Sequence, residues 1–225
     1  MYRRLLEAFR RSPDLISFDY FAKQKHEAFY GSLDAITNLL NARDTWNAND
    51  VSRLSGLLKL SLWSNKCDLS ISAGASQSFD KDPLAQLEKF QDRLLVNDVD
   101  PVVQLLTLKR NDGGAIIDIV MDNAGFELFS DLCLADYLIE SCMAKKIRFR
   151  VKNCPWFVSD TTPSDVDWVL NEMGQGAPNS LQDATQRPIL IKYSEKWKEF
   201  ISTGTWSVIA DPFWTYPHDF RYDSE

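Results

Sequence analysis

Histidine and cysteine are too sparse in this chain to build the metal sites those residues favour. The two histidines, His26 and His218, lie far apart, and none of the four cysteines (Cys67, Cys133, Cys142 and Cys154) forms a Cys-x-x-Cys pair. A zinc site of ordinary ligand spacing is not expected, and thiols this few and unpatterned suit a reducing compartment. Positive charge is not in excess either. The 25 Lys and Arg against 32 Asp and Glu leave a net charge of −7, which argues against a general nucleic-acid binder, since such proteins carry a basic patch or stripe. No apolar run reaches membrane-spanning length. The opening Met1-Tyr2-Arg3-Arg4-Leu5-Leu6-Glu7 is basic but lacks the apolar stretch of a signal peptide. A Gly-rich phosphate loop and a Gly-x-Ser-x-Gly elbow are both missing, so nucleophilic Ser or Cys chemistry has no local support. These absences lead us to expect a soluble cytoplasmic protein, the nucleus remaining open, with neither nucleic acid nor membrane as partner.

The sequence does carry the material for a core. Of 225 residues, 44% are hydrophobic and 12% aromatic, enough for one large domain or two small ones. Residues 1 to 62 read as a run of helices. Leu5, Leu6 and Phe9 give the first its apolar face, Gly31 ends a second, Ser32 opens a third, and Asn49-Asp50 opens a fourth. The polar stretch Leu62 to Ser70 reads as a helix end running into a loop, and residues 71 to 83 as an exposed loop. A short helix is expected over 84 to 95, while Val102 to Leu108 fits a helix or a strand.

Regular α/β patterning begins after Asp112-Gly113-Gly114. Ile116 to Met121 is a buried strand, Phe126 to Cys142 a helix apolar on most sides, and Lys146 to Lys152 an alternating strand with one solvated face. Pro163 enters a helix reaching Met173, Tyr193 to Ile201 is amphipathic, and Trp206 to Ala210 is a third strand. The expected fold class is α/β, a three-layer α/β/α sheet behind an N-terminal helical subdomain. The expected division is a helical part over 1–110 and an α/β part over 111–225. Three strands and an aromatic terminus, Phe213-Trp214-Thr215-Tyr216-Pro217-His218, suggest an incomplete sheet.

The chemistry-bearing residues sit at the ends of the apolar runs. The first run ends in Asp122-Asn123, and a second, Pro155-Trp156-Phe157-Val158-Ser159, reads as a strand ending in Asp160. Ligands of open α/β sheets bind at the carboxyl ends of strands. Two carboxylates and a carboxamide oxygen are the donors that Mg²⁺ and Mn²⁺ prefer. The competing reading of Asp122-Asn123 is a turn whose side chains cap the next helix. Glu127, in the first turn of that helix, would serve its dipole or meet a substrate hydroxyl. Asp118, deeper in the strand, reads as structural or solvated, and Asp131 and Asp136 as a surface face or packing contacts.

Several segments resemble a known family, the metal-dependent damage-control phosphatases, in the subgroup named for acidic residue methyltransferase. The matching stretches are Asp122-Asn123-Ala124-Gly125-Phe126-Glu127-Leu128 and Pro155-Trp156-Phe157-Val158-Ser159-Asp160-Thr161-Thr162. Leu62-Trp63-Ser64-Asn65-Lys66-Cys67-Asp68-Leu69-Ser70 matches a third motif, with Ser64 where glycine is usual. Met1-Tyr2-Arg3-Arg4 and the Phe213 to His218 stretch fit as well. The resemblance implies an ion held by Asp122, Asn123 and Asp160, usually Mn²⁺, Ni²⁺ or Co²⁺, with Mg²⁺ an option. It places Glu127 against substrate and brings Asn65, Lys66 and Asp68 to the same pocket. It implies hydrolysis of sugar phosphates such as fructose 1-phosphate and fructose 6-phosphate. It also carries an alternative, S-adenosylmethionine-dependent carboxyl methylation, which ranks second because no Gly-rich methyl-donor loop is present. Members are expected to be longer at both ends and to finish with Asp-Leu-Asn-Tyr-Arg and Arg-Thr-x-Lys motifs, neither of which occurs here. The expectation is therefore a chain with the metal half of a site and without the half that clamps phosphate, or a fragment without catalysis.

Overall fold

Two glycines start the sheet. Gly113 and Gly114 both adopt positive φ, at 81° and 84°. A Cβ on Gly114 would lie 2.8 Å from the backbone nitrogen of Lys145, so the close approach of the first two strands demands glycine there. The computed structural model describes residues 2–15, 17–72, 93–177 and 184–216, and of these the side chains of 65–72 lie outside the description. The elements are α1 (Tyr2–Phe9), α2 (Ala22–Gly31), α3 (Leu33–Arg43), α4 (Ser52–Ser72), α5 (Val99–Asn111), β1 (Ala115–Val120), α6 (Phe126–Glu140), β2 (Ala144–Lys152), α7 (Pro163–Gly174), α8 (Arg187–Ser202) and β3 (Trp206–Asp211). The fold is α/β, as expected. The strands run parallel in the order β1-β2-β3, joined by helical crossovers.

Alternation along the strands separates two faces. Ile117 and Ile119 of β1, Ile147, Phe149 and Val151 of β2, and Trp206 and Val208 of β3 turn into the core. The other face carries Asp118, Arg148 and Arg150, where Arg148 forks onto the Asp118 carboxylate with two bonds of 2.6 Å. That pairing settles Asp118 as structural. Burial pushes its carboxyl up, but Arg148 and Arg150 outweigh burial and hold it below the usual range.

Helix α6 is buried on nearly every side because it lies between the sheet and a further layer of helices. α4 packs on α6, α3 on α8 and α2 on α7. One hydrophobic core runs from Phe29 and Leu40 through Phe129 and Leu132 to Trp197 and Trp206. Aromatic contacts cross it. Phe129 meets Trp197 at 5.8 Å, Trp197 meets Trp206 at 5.9 Å, and Trp206 stands edge-on to Phe149 at 5.1 Å.

One open point in the sequence reading is resolved, and three departures from it have local causes. Val102 to Leu108 is helical, inside α5. The amphipathic run from Tyr193 belongs to a longer helix that Pro188 enters in its first turn. Leu62 to Ser70 is not a loop, since α4 continues through it to Ser72 with neither glycine nor proline to stop it. Pro155 to Ser159 is not a strand. Pro155 has no N–H for a ladder, and Phe157 and Val158 take left-handed φ values of 40° and 73°. Most of the loop and helix expected over 71 to 95 lies outside the described residues.

Charge is also buried. The Asp136 carboxylate, fully enclosed, lies 2.8 Å from Arg43 of α3 and 2.6 Å from Lys196 of α8, and accepts from the Trp197 indole at 3.1 Å. Both cations also reach Glu140. Asp136 thereby pins three helices together. Asp136→Ala should leave the buried Arg43, and Lys196 with it, to share the half-exposed Glu140 alone and cost roughly 3–5 kcal/mol in urea denaturation. Lys23→Ala removes only an exposed contact with Glu27 and should cost no more than about 0.5 kcal/mol. Equal costs would show that the buried cluster is not a fastening.

Candidate metal centre

The turn after β1 is built around Gly125, the N-cap of α6, at φ 80° and ψ −137°. That region is costly for any side chain. Having no side chain, Gly125 leaves the cap without a side-chain hydrogen bond. Asp122 and Asn123 turn to other partners, so the capping reading of this pair does not describe them.

A second turn meets the first. Thr161 donates its N–H to the Asp122 carbonyl at 2.7 Å, and Ala124 donates to Ser159 at 2.7 Å. Asn123 and Asp160 form an antiparallel bridge. Asp160 therefore reaches the site through this bridge, well past the end of β2, rather than as the end of a strand. Beyond it, Thr162 begins α7 with a capping box, its N–H donating to Asp165 at 2.8 Å. Lys25 of α2, itself buried, holds Asp165 at 2.8 Å and Asp19 at 2.9 Å.

This second turn is strained. Ser159 donates its N–H back to Phe157 at 2.9 Å across Val158, whose φ is 73°. That is a γ-turn of the rare positive-φ kind, at a β-branched residue. Such conformations cost on the order of 1–3 kcal/mol and persist where surroundings over-determine them. Here Tyr2 packs on both Trp156 and Phe157 at 5.4 Å, and the Tyr20 hydroxyl donates to the Pro155 carbonyl at 3.3 Å. Arg3 in turn donates to the Thr215 carbonyl at 2.5 Å and lies over the Tyr216 ring. Tyr2 thus braces the loop that carries Asp160, and its neighbour Arg3 ties the same helix to Thr215 and Tyr216.

The side chains at the junction form one cluster. The Asn123 amide donates to Glu127 at 3.0 Å and to Asp122 at 3.2 Å, and its oxygen accepts from Ser159 Oγ at 2.6 Å. Both amide protons are taken by acids, so the carboxamide oxygen is fixed in orientation with a second lone pair in hand. Lys152 Nζ lies 3.3 Å from Asp122 Oδ1 and 3.2 Å from Asp160 Oδ2. One cation already spans both carboxylates, and in charge it stands in for a metal ion at that point. Among the described residues, no three acids, histidines or cysteines converge on one point; the donor set is two carboxylates and a carboxamide. An all-oxygen set with few charges suits a hard divalent ion that keeps waters, so the residues fit the group.

Asp160 is buried and Asp122 largely exposed. Burial pushes the Asp160 carboxyl up, against the pull of Lys152. Sequence reasoning missed Lys152 and Ser159. The strand register would have found the lysine. Asp118 faces Arg148 and Val120 faces Arg150, and the next step on that face sets Asp122 against Lys152.

The whole chain, residues 1–225, matches the family described as Damage-control phosphatase ARMT1-like domain. The chain belongs to this family. Curated relatives named Damage-control phosphatase ARMT1 are 39% identical in Danio rerio, over 98% of this chain and 50% of the relative, and 36% identical in Homo sapiens, over 98% and 51%. The Bos taurus relative is 36% identical over 100% of this chain and 52% of its own length. The chain spans about half the length of the relatives it matches. Of the residues that the family resemblance singles out, Asp122, Asn123, Glu127 and Asp160 are drawn together. Asn65, Lys66 and Asp68 belong to α4, and their side chains lie outside the described residues.

α4 approaches the site along α6. Ser61 donates to Asp131 Oδ1 at 2.5 Å, one helical turn beyond Glu127. Burial pushes the Asp131 carboxyl up to about 7, with Glu127 and Asp122 adding to the rise and the Ser61 bond opposing it. An unfolded Asp titrates near 3.9, so between about pH 4 and pH 7 the folded protein binds the extra proton and stability falls as pH rises. Asp131→Asn keeps the acceptor and removes the charge. In chelator-treated protein its thermal midpoint should match the parent's near pH 4.5 and exceed it increasingly up to pH 8. The gain is at most about 4 kcal/mol, one pKa unit being about 1.4 kcal/mol. A parent that gains on the variant over that range would mean an ionised, stabilising carboxylate.

Proposed function

We propose that this chain carries the metal-binding half of a metal-dependent phosphatase acting on sugar phosphates. The supporting observation is the junction of two turns at which one cation spans Asp122 and Asp160 beside the oriented oxygen of Asn123. Asp122, Asn123 and Asp160 would hold a divalent ion, Mn²⁺ or Ni²⁺ first, with Co²⁺ and Mg²⁺ as alternatives. When bound, such an ion supplies charge neutralisation for a phosphoryl group and lowers the pKa of a bound water.

The protein groups divide the remaining work. Asp122 stands at the solvent side, where a substrate enters, and Asp160 is the enclosed anchor. Ser159 keeps the Asn123 oxygen directed and so acts as an orienting partner. Glu127, hydrogen-bonded to the Asn123 amide, carries an acceptor suited to a sugar hydroxyl. The family resemblance adds Asn65, Lys66 and Asp68, which follow Ser61 along α4, to the substrate-binding residues. Fructose 1-phosphate and fructose 6-phosphate are the substrates the family resemblance favours. Positioning and charge neutralisation supply most of the catalysis at such a site.

Mn²⁺ titration followed by electron paramagnetic resonance, together with phosphate release from fructose 1-phosphate, tests this reading. The parent should bind Mn²⁺, and Asp122→Ala should weaken it by 10-fold or more, as loss of a direct ligand implies. Undiminished Mn²⁺ binding in that variant would falsify the ligand assignment. Methyl transfer from S-adenosylmethionine to a protein carboxylate, without phosphate release, would replace the hydrolase by the methyltransferase.

A further inference from the structure

Lys152 is the one cation in direct contact with the candidate metal ligands among the described residues. It closes β2, its side chain is only 12% exposed, and its ammonium bridges Asp122 at 3.3 Å and Asp160 at 3.2 Å. The surroundings are acidic, with Glu127 bonded to the neighbouring Asn123. An ammonium has three donors, and two are engaged here. Its four-carbon stem is flexible, and the ammonium acts as a movable point charge.

These facts carry a consequence for binding order. The two oxygens held by Lys152 are among those a divalent ion would need. A phosphate monoester brings up to two negative charges to a site that already holds two carboxylates and Glu127, so one divalent ion leaves it short of positive charge. We propose that Lys152 holds the metal ligands together while no ion is bound, yields them to the ion, and then serves as the cation that binds the substrate's phosphoryl oxygens. The inference rests on the metal-site reading above and assigns to that site an anion-binding residue that its acidic motif residues do not provide. A permanently structural lysine, by contrast, would only keep the two acids from repelling each other.

Two measurements separate these roles. Lys152→Gln keeps length and removes charge. In a displaced role the variant should bind Mn²⁺ about three- to tenfold tighter, because a competing charge a few ångströms away has gone. The Mn²⁺-loaded variant should bind inorganic phosphate at least about tenfold more weakly, with Lys152→Arg recovering part of the loss. Circular dichroism verifies that each variant is folded. The second measurement needs no variant, and reads acetylation of Lys152 in the parent by mass spectrometry. Reactivity should be low in chelator, rise several-fold with Mn²⁺, and fall again when inorganic phosphate is added. Weaker or unchanged Mn²⁺ binding in Lys152→Gln, unchanged phosphate affinity, or acetylation indifferent to Mn²⁺ would each overturn the inference. Failure of the parent to bind Mn²⁺ would remove the metal-site reading and this inference with it. Mn²⁺ binding that depends on Asp122 but phosphate binding that ignores Lys152 would remove this inference alone.

Discussion

Two carboxylates that would repel one another are forced to the same point by backbone hydrogen bonds, and the architecture around them serves that junction. The bonds from Thr161 to Asp122 and from Ala124 to Ser159 lock two turns edge to edge. Neither turn is an independent unit. The first needs Gly125 to leave the strand and enter α6. The second keeps a β-branched residue in a γ-turn that an isolated peptide would abandon. What sustains it lies elsewhere: Tyr2 on Trp156 and Phe157, Tyr20 on Pro155, and Lys25 on the cap of α7. The N-terminal helices thus do more than cover the core, because they fix the loop that carries Asp160.

The same logic explains the balance of charge. Buried carboxylates meet cations at several places, and two of these, the Asp136 cluster and the candidate metal centre, are built differently. Asp136 is fully enclosed, and Arg43 and Lys196 engage it at short range, with Glu140 as a further acid in the cluster. At the candidate centre, Lys152 is the one cation among the described residues in contact with Asp122 and Asp160, and Asp122 remains open to solvent. The first arrangement fastens helices. The second leaves a deficit of positive charge that a ligand can fill, which is how sites with perturbed carboxylates are commonly recognised.

Much of this was legible in the sequence, for identifiable reasons. The glycine pair at 113 and 114, the alternation in β2 and the all-round apolar character of α6 are local signals, and each marked an element that exists. Asp122 and Asn123 stood out because they end an apolar run. Asp160 was singled out for the wrong structural reason, since a run rich in Trp, Phe and Val reads as a strand while its left-handed turn depends on contacts with Tyr2 and Tyr20. Lys152 looked like one more charge on a solvated strand face, and only the pairing register sets it opposite Asp122. Asp131 was illegible as a titrating group, because its rise depends on burial beneath α4, a tertiary fact.

The strand order also bears on how the molecule is made. Because β1, β2 and β3 lie side by side in the order in which they are synthesised, each new strand docks on a free edge and none has to be wedged between strands already paired. A growing chain that has emerged as far as the cap of α7 already contains Asp122, Asn123, Lys152, Asp160 and the Asp165–Lys25 tie. The acidic junction can therefore assemble on the ribosome while β3 is still untranslated. The contact of Arg3 with Thr215 waits for a segment that follows β3. The strained turn beside Asp160 therefore precedes, in order of translation, the segment that Arg3 holds.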